Sequence, residues 1–228
     1  MIFRRRKFLP EVTLICVAGV DLCRAVRALF ISISRVKFAE VVLVTPNKDL
    51  LSWLNFFRIK VESPFDSKLD SMKEYNRYIV FDLYRHVATS HCLLIQADGY
   101  VQHPSSWSDD FLSYDYIGAP WPIKKDSYVT PFGEHVQVGN GGFSLRSKKL
   151  LEVPLKYSVT FEVNTDSFYK HFNKNSYSED GVICVHNRHV YVNGGCEFAP
   201  LEISARFSRE LEILGLTNKK TFGFHRYK

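Results

Sequence analysis

The feature that most restricts what this chain can fold into is an alternation, through its first hundred residues, of short apolar runs with segments of helical period. Val12-Thr-Leu-Ile-Cys-Val17 is β-rich and stops at Ala18-Gly19, after which Leu22, Val26, Leu29, Phe30 and Ile33 recur at helical spacing. Val41-Val-Leu-Val-Thr45 repeats the pattern, closed by Pro46-Asn47, and Leu50, Leu51, Leu54 and Phe57 predict a second helix. Ser71 and Glu74 have capping-box spacing ahead of an apolar stripe that predicts a helix over 72–88. His91-Cys-Leu-Leu-Ile-Gln-Ala97 follows as a buried strand that stops at Asp98-Gly99. Strand, helix, strand in this order implies parallel strands joined by right-handed crossovers, hence an α/β fold with a mainly parallel sheet. Ligands in such sheets sit beyond the carboxyl ends of strands, and Asp98 emerges from one of those ends.

Beyond Gly99 the texture changes to loops and short strands rich in Pro, Gly and aromatic residues. A strand resumes at 143–146, a short helix at 147–152, and another helix at about 179–187 with Ser178 as its N-cap. One domain over 1–228 is expected, with 12–99 as a nucleotide-binding half and 100–228 as an acceptor-binding and catalytic half. At 228 residues, 46% hydrophobic and 24% charged, the chain is ample for one core and shows no disordered tract.

Its apolar runs are far shorter than the roughly 20 residues of a membrane span. Pro10 and Glu11 interrupt the start where a signal peptide would be apolar, and five cysteines without a CxxC pair fit reduced thiols, so a cytoplasmic location is expected. The net charge of +6 favours anionic partners. The Arg4-Arg5-Arg6-Lys7 cluster reads either as a solvated terminus or as a peripheral contact with an anionic membrane surface.

Several residues are candidates for chemistry, each with a plainer alternative. Asp98 suits a divalent ion that offsets diphosphate charge, or simply forms an Asp-Gly turn. Val138-Gly-Asn-Gly-Gly142 lacks the spacing of a P-loop or dinucleotide fingerprint; its glycines allow close ligand approach or a tight turn. Glu179-Asp180 offers a base at the start of a helix, where acidic residues are also favoured by the helix dipole. His225 reads as a metal or phosphate ligand or as neither, and Trp121 as a core residue or a sugar platform.

Taken in order, Tyr75-Asn-Arg-Tyr-Ile-Val-Phe-Asp-Leu-Tyr84, Leu94-Ile-Gln-Ala-Asp-Gly-Tyr100, Phe111-Leu-Ser-Tyr-Asp-Tyr-Ile-Gly-Ala-Pro-Trp-Pro122, Val138-Gly-Asn-Gly-Gly-Phe-Ser-Leu-Arg146, Ser178-Glu-Asp180, Phe198-Ala-Pro200 and Phe222-Gly-Phe-His225 resemble a GT-A-type family of bacterial and viral glycosyltransferase-like proteins, much of it described as a domain of unknown function. The resemblance implies a GT-A-like fold and transfer of a sugar from a nucleotide-diphosphate donor to a glycan or glycolipid hydroxyl, with inversion, in polysaccharide or glycoconjugate biosynthesis. It implies that Asp98 and His225 hold Mn2+ or Mg2+, that Asp180, with Glu179, supplies the catalytic base, and that Asn76, Arg77, Gln96 and Arg146 meet the donor. Trp121, Asn140, Gly141 and Gly142 would line the sugar and acceptor pocket, and nucleic acid is not an expected partner. Position 96 is Gln where a full DxD element has a carboxylate; without a metal, Arg77, Arg146 or Lys148 would have to meet the diphosphate. The alternatives are a sugar nucleotidylyltransferase, which needs a glycine-rich basic loop after its first strand where only Gly19 stands, and a non-catalytic basic module binding anionic glycan or nucleic acid.

Overall fold

In the computed structural model, which describes residues 6–123, 128–161, 178–213, 215–216 and 220–225, β1 (Lys7–Val17) and β2 (Val36–Val44) run parallel, joined by α1 (Leu22–Arg35). β1 begins five residues earlier than its apolar run predicts. Pro10 has no N–H for a ladder, and the β1–β2 register shifts between Leu9 and Thr13, so an irregularity carries the strand past the proline. Lys7 thus belongs to the sheet, and it pairs with Asp109 at 3.4 Å. Arg6 donates to the Ile33 carbonyl. Arg4 and Arg5, the rest of the basic cluster, lie outside the described residues.

α1 buries Ala25, Ala28, Leu29 and Ser32, one face at spacings of three and four. After β2 the chain makes short helical turns at Lys48–Leu51 and Ser52–Phe57, then adds β3 (Lys60–Glu62) parallel to β2. α2 (Met72–Phe81) begins at Ser71, whose Oγ accepts the Glu74 N–H at 3.2 Å. It stops at Phe81 rather than running to 88. Asp82 leaves helical geometry and a tight turn over Leu83–His86 follows, held by His86, whose ring bonds Glu62 through Nδ1 and the Tyr78 hydroxyl at 2.6 Å through Nε2. Long-range bonds from one buried histidine override the apolar stripe.

β4 (His91–Ile95) is buried along its length and pairs with β1 in parallel. β5 (Gly99–Val101) starts a second sheet, β6 (Tyr116–Ile117) is short, and β7 (Phe143–Ser147) lies antiparallel between β4 and β6. The six-stranded sheet has the order β3-β2-β1-β4-β7-β6, mainly parallel with an antiparallel flank.

After β7 come helical turns at Lys148–Leu151 and Val153–Lys156, and further on α3 (Arg188–Asn193), α4 (Leu201–Phe207), β8 (Ser208–Arg209) and β9 (Gly223–His225). The helix expected at 179–187 is one turn, Glu179–Gly181, that widens into a π-helical turn over Val182–His186, and Ser178 makes no side-chain cap bond. β5, β9 and β8 form the second sheet, with Gly99 opposite His225.

Both faces of the main sheet are covered. Leu14, Leu29, Leu43, Phe111, Phe207 and Phe222 share the core on the α1 side, and Ile15, Val42, Tyr78, Ile79, Leu94 and Val182 that on the α2 side. Strand residues of alternating parity serve the two layers, which explains the continuous apolar runs. Among the described residues no helix is long and apolar enough to cross a membrane.

Candidate active site

β1 leads through α1 to β2 on one side of the sheet, while β4 lies on the other, so strand order reverses between β1 and β4. A cleft of about 410 Å³ opens there, at the carboxyl ends of both strands, between the loop after Val17, the start of α2 and the segment Gln96 to Asp98. Gly19 is required at its edge: a Cβ there would stand 1.9 Å from the Leu69 carbonyl oxygen, so only glycine lets the loop before α2 close over β1. The sequence run that predicted a strand to Ala97 pairs only to Ile95, and its last residues turn into the cleft instead.

Asp98 sits where the main sheet hands over to the second one, and β9 brings His225 against it. His225 Nε2 lies 3.1 Å from Asp98 Oδ1 and 3.1 Å from Gln96 Oε1, and Gln96 Nε2 donates to the Tyr75 hydroxyl at 3.0 Å. On the other side of the ring, Nδ1 is 3.2 Å from the Asn140 carboxamide and 3.7 Å from Glu210 Oε1. Burial alone would lower the His225 pKa, but the Asp98 and Glu210 carboxylates outweigh it and raise it to about 9.

A second cluster lies on the other side of the glycine run. Arg146, on β7, is fully buried and donates from an Nη to Glu179 Oε2 at 2.8 Å, with its guanidinium over the Tyr116 ring. Gly141 donates its N–H to Asp180 Oδ2 at 2.9 Å, and Asp180 Oδ1 accepts from Gly181 at 2.7 Å. Burial, then the neighbouring Glu179 charge, push the Asp180 carboxyl up to about 7, against the pull of the two N–H groups.

The glycines of the 138–142 run have a visible purpose. A Cβ on Gly139 would stand 1.8 Å from the Trp121 indole, one on Gly141 1.7 Å from Glu179 Oε1, and one on Gly142 2.2 Å from His225 Nε2. Each empty position is filled by one of the chain's own side chains, and Gly142 O also accepts the Gln96 N–H at 2.9 Å. Asn140, between them, holds a left-handed φ of 37°. The 141–142 step therefore joins the Asp180 cluster to the Asp98–His225 cluster.

The other expected site residues fall elsewhere. Arg77 lines a separate cavity of about 290 Å³ with Asp66, Ser67 and Glu74, and stacks over Phe81. Asn76 is buried and is not part of the cleft wall. Arg146 is committed to Glu179 in the interior, which removes both from direct contact with a donor or acceptor; α2 and β7 turn these faces toward the core, which the spacing of single residues does not reveal. Lys148 Nζ donates to the Val87 carbonyl at 2.5 Å. Trp121 is buried, stacked on Tyr128 at 4.2 Å and 11°, rather than an open platform.

Sequence reasoning gave no role to Arg24, Asp70, Tyr75 or Glu210. Asp70 directly precedes the capping box, a usable signal; Glu210 follows a two-residue strand too short to leave a pattern. Among the described residues lining the cleft, Arg24 is the sole cation, paired with Asp21 at 3.7 Å, against the carboxylates of Asp21, Asp70 and Asp98. No group of three or more His, Cys, Asp or Glu side chains among the described residues forms a ready metal cage.

Comparison with solved structures aligns the chain with S. aureus TarS 1–349 (TM-score 0.52, 11% identity, 94% of this chain and 60% of TarS 1–349). It also aligns with the galactosyltransferase LgtC, solved in complex with donor and acceptor sugar analogues (TM-score 0.50, 13% identity, 93% of this chain and 86% of LgtC). The chain thus spans about three fifths of the TarS fragment. These likenesses establish the fold, which is GT-A-like. No curated protein matches the chain. A family profile matches residues 58–225, from the entry to β3 through β9 and including all of Asp98, Asn140, Gly141, Asp180 and His225; the chain belongs to this family, described as protein of unknown function (DUF5672).

Proposed function

We propose that this chain is a glycosyltransferase that moves a sugar from a nucleotide-diphosphate donor to a hydroxyl of a glycan or glycolipid acceptor, with inversion. The observation that carries the reading is the meeting of Asp98, Gln96 and His225 at the mouth of a switch-point cleft, with Asp180 anchored one glycine away. The fold of LgtC, a galactosyltransferase solved with donor and acceptor analogues, supports it. A nucleotidylyltransferase gains nothing from the geometry, because Gly19 is taken up by the Leu69 contact and no glycine-rich basic loop follows β1.

A diphosphate leaving group requires positive charge, and the cleft's described lining is net acidic. Arg77, Arg146 and Lys148 are engaged elsewhere, which favours a divalent ion. The residues fit one: the Asp98 carboxylate, the Gln96 side-chain carbonyl and His225 Nε2 converge, and an ion there would replace the proton that the Asp98 and Glu210 carboxylates hold on His225. Asp98, His225 and the Gln96 carbonyl would hold Mn2+ or Mg2+, leaving further positions for phosphate oxygens. When bound, the ion supplies the charge that stabilises the departing diphosphate.

Asp180 acts as the base. Its carboxylate takes the proton of the acceptor hydroxyl as that oxygen bonds to the anomeric carbon, while the bond from that carbon to the diphosphate oxygen breaks and its electron pair leaves with the diphosphate. A carboxyl near 7 is matched to proton transfer at neutral pH. Gly141 N–H aims it, and the Arg146–Glu179 pair fixes the wall behind.

The test is release of nucleoside diphosphate from a panel of nucleotide sugars with Mn2+, beside Asp180→Asn. Turnover that falls by about 10²–10⁴-fold in the variant, with donor binding kept, is expected. No release with any donor, or an Asp180→Asn protein as active as the parent, would sink the assignment.

A further inference from the structure

The segment after β2 has two faces with opposite uses. Leu51 and Leu54 are buried in the α1-side core, whereas Leu50 (71% exposed), Trp53 (53%) and Phe56 (87%), three residues apart, face solvent with Phe57 (47%). The rings form one cluster: Phe57 meets Trp53 at 6.0 Å, Phe56 at 5.3 Å and Phe30 of α1 at 5.2 Å. A contiguous exposed apolar patch of this kind marks an interaction surface. Lys48 and Arg58 bound it in the chain, and Arg27, one turn before Phe30, is exposed beside it; Asp49 is the acidic residue within it.

From this arrangement we infer that the turns at 48–57 are a membrane-contact site, inserting Leu50, Trp53, Phe56 and Phe57 among the headgroups and outer acyl segments of an anionic lipid bilayer. Short helical turns with aromatic and leucine side chains on one face and basic residues at the borders have the composition of an interfacial element. The net charge of +6 complements an anionic surface. Four side chains are far fewer than the roughly 20–30 residues a side of a stable protein interface, which argues against a second copy as the occupant. The segment leaves β2 at the same carboxyl edge on which β1 opens the cleft, since Ala18 bonds Val44 across that edge. This inference stands on exposed residues alone and does not depend on the proposed transferase chemistry.

The chain provides its own reporter. Trp107 and Trp121 are buried, so among the three tryptophans Trp53 is the exposed one. The experiment mixes the full chain with vesicles of phosphatidylcholine alone or of phosphatidylcholine with phosphatidylglycerol, and follows co-sedimentation and tryptophan emission. Expected are sedimentation and a blue shift with the anionic vesicles only, weakened by salt. A Phe56→Ser/Phe57→Ser variant, with Trp53 retained, loses both signals, and Lys48→Glu/Arg58→Glu loses them while keeping the apolar patch. Circular dichroism melts confirm that both variants fold. No binding to anionic vesicles, equal binding to neutral ones, or unchanged binding by the Phe56→Ser/Phe57→Ser variant overturns the inference, as does a concentration-dependent dimer that this variant abolishes.

Discussion

β1, β2 and β4 bury Leu14, Ile15, Leu43 and Leu94 between two apolar layers, whereas β7, the next strand along, buries Arg146 completely and pairs it with Glu179. The parallel strands are held by apolar area, which is non-directional, so volume and pattern suffice to specify them. The antiparallel flank is held by matched charges and by glycines whose missing side chains admit Trp121, Glu179 and His225. Small changes should therefore be absorbed in the first region and not in the second, and the candidate chemistry lies where the two meet.

The largest expected break of this contrast is Arg146→Met. It leaves Glu179 buried without its partner, and denaturant unfolding should show a loss of about 3–5 kcal/mol. Arg146→Met/Glu179→Leu, which removes both charges, should recover most of it; a double variant no better than the single would mean that packing, not charge pairing, secures this wall. Next is a term conditional on pH. With its pKa raised from 3.8 to about 7, protonated Asp180 contributes stability that is full below the ordinary carboxylate range and is lost as pH rises through about 7. Denaturant midpoints of the parent should therefore fall relative to those of Asp180→Asn between about pH 4 and pH 8.

Gly118→Ala follows. The new Cβ would lie 1.5 Å from the Gly139 carbonyl oxygen, a backbone atom that cannot rotate away, and a loss of about 1–3 kcal/mol is expected from thermal unfolding. The smallest effect belongs to the parallel region: Ile15→Val should cost about 0.5–1.5 kcal/mol by the same measurement. A cost for Ile15→Val above that of Gly118→Ala would erase the distinction between the two regions.

The same distinction explains what the sequence made legible. Val12 to Val17, Val41 to Thr45 and His91 to Ile95 announce themselves because a strand covered on both faces must be apolar throughout, and Ser71 with Glu74 marks the start of α2. The end of α2 was not legible, since it depends on His86 reaching Glu62 and Tyr78, a contact with no local signature. In the second region Asp98, Asp180 and His225 were singled out as residues, but their partners were not. Glu210 reaches His225 through a two-residue strand, and Arg146 meets Glu179 across 33 positions. The 138–142 glycines were visible, but whether they open space for a ligand or for the chain's own side chains is settled only by what fills the space.

In the proposed function Asp98 and His225 form the ion- and diphosphate-binding end of the cleft. Titration calorimetry of Mn2+ together with a nucleoside diphosphate, into the parent protein and into Asp98→Ala, tests it most directly. Saturable binding that requires both the ion and the nucleotide is expected, lost in Asp98→Ala while that variant keeps a cooperative melt. Nucleotide binding of equal strength without the ion, or undiminished in the variant, would contradict it.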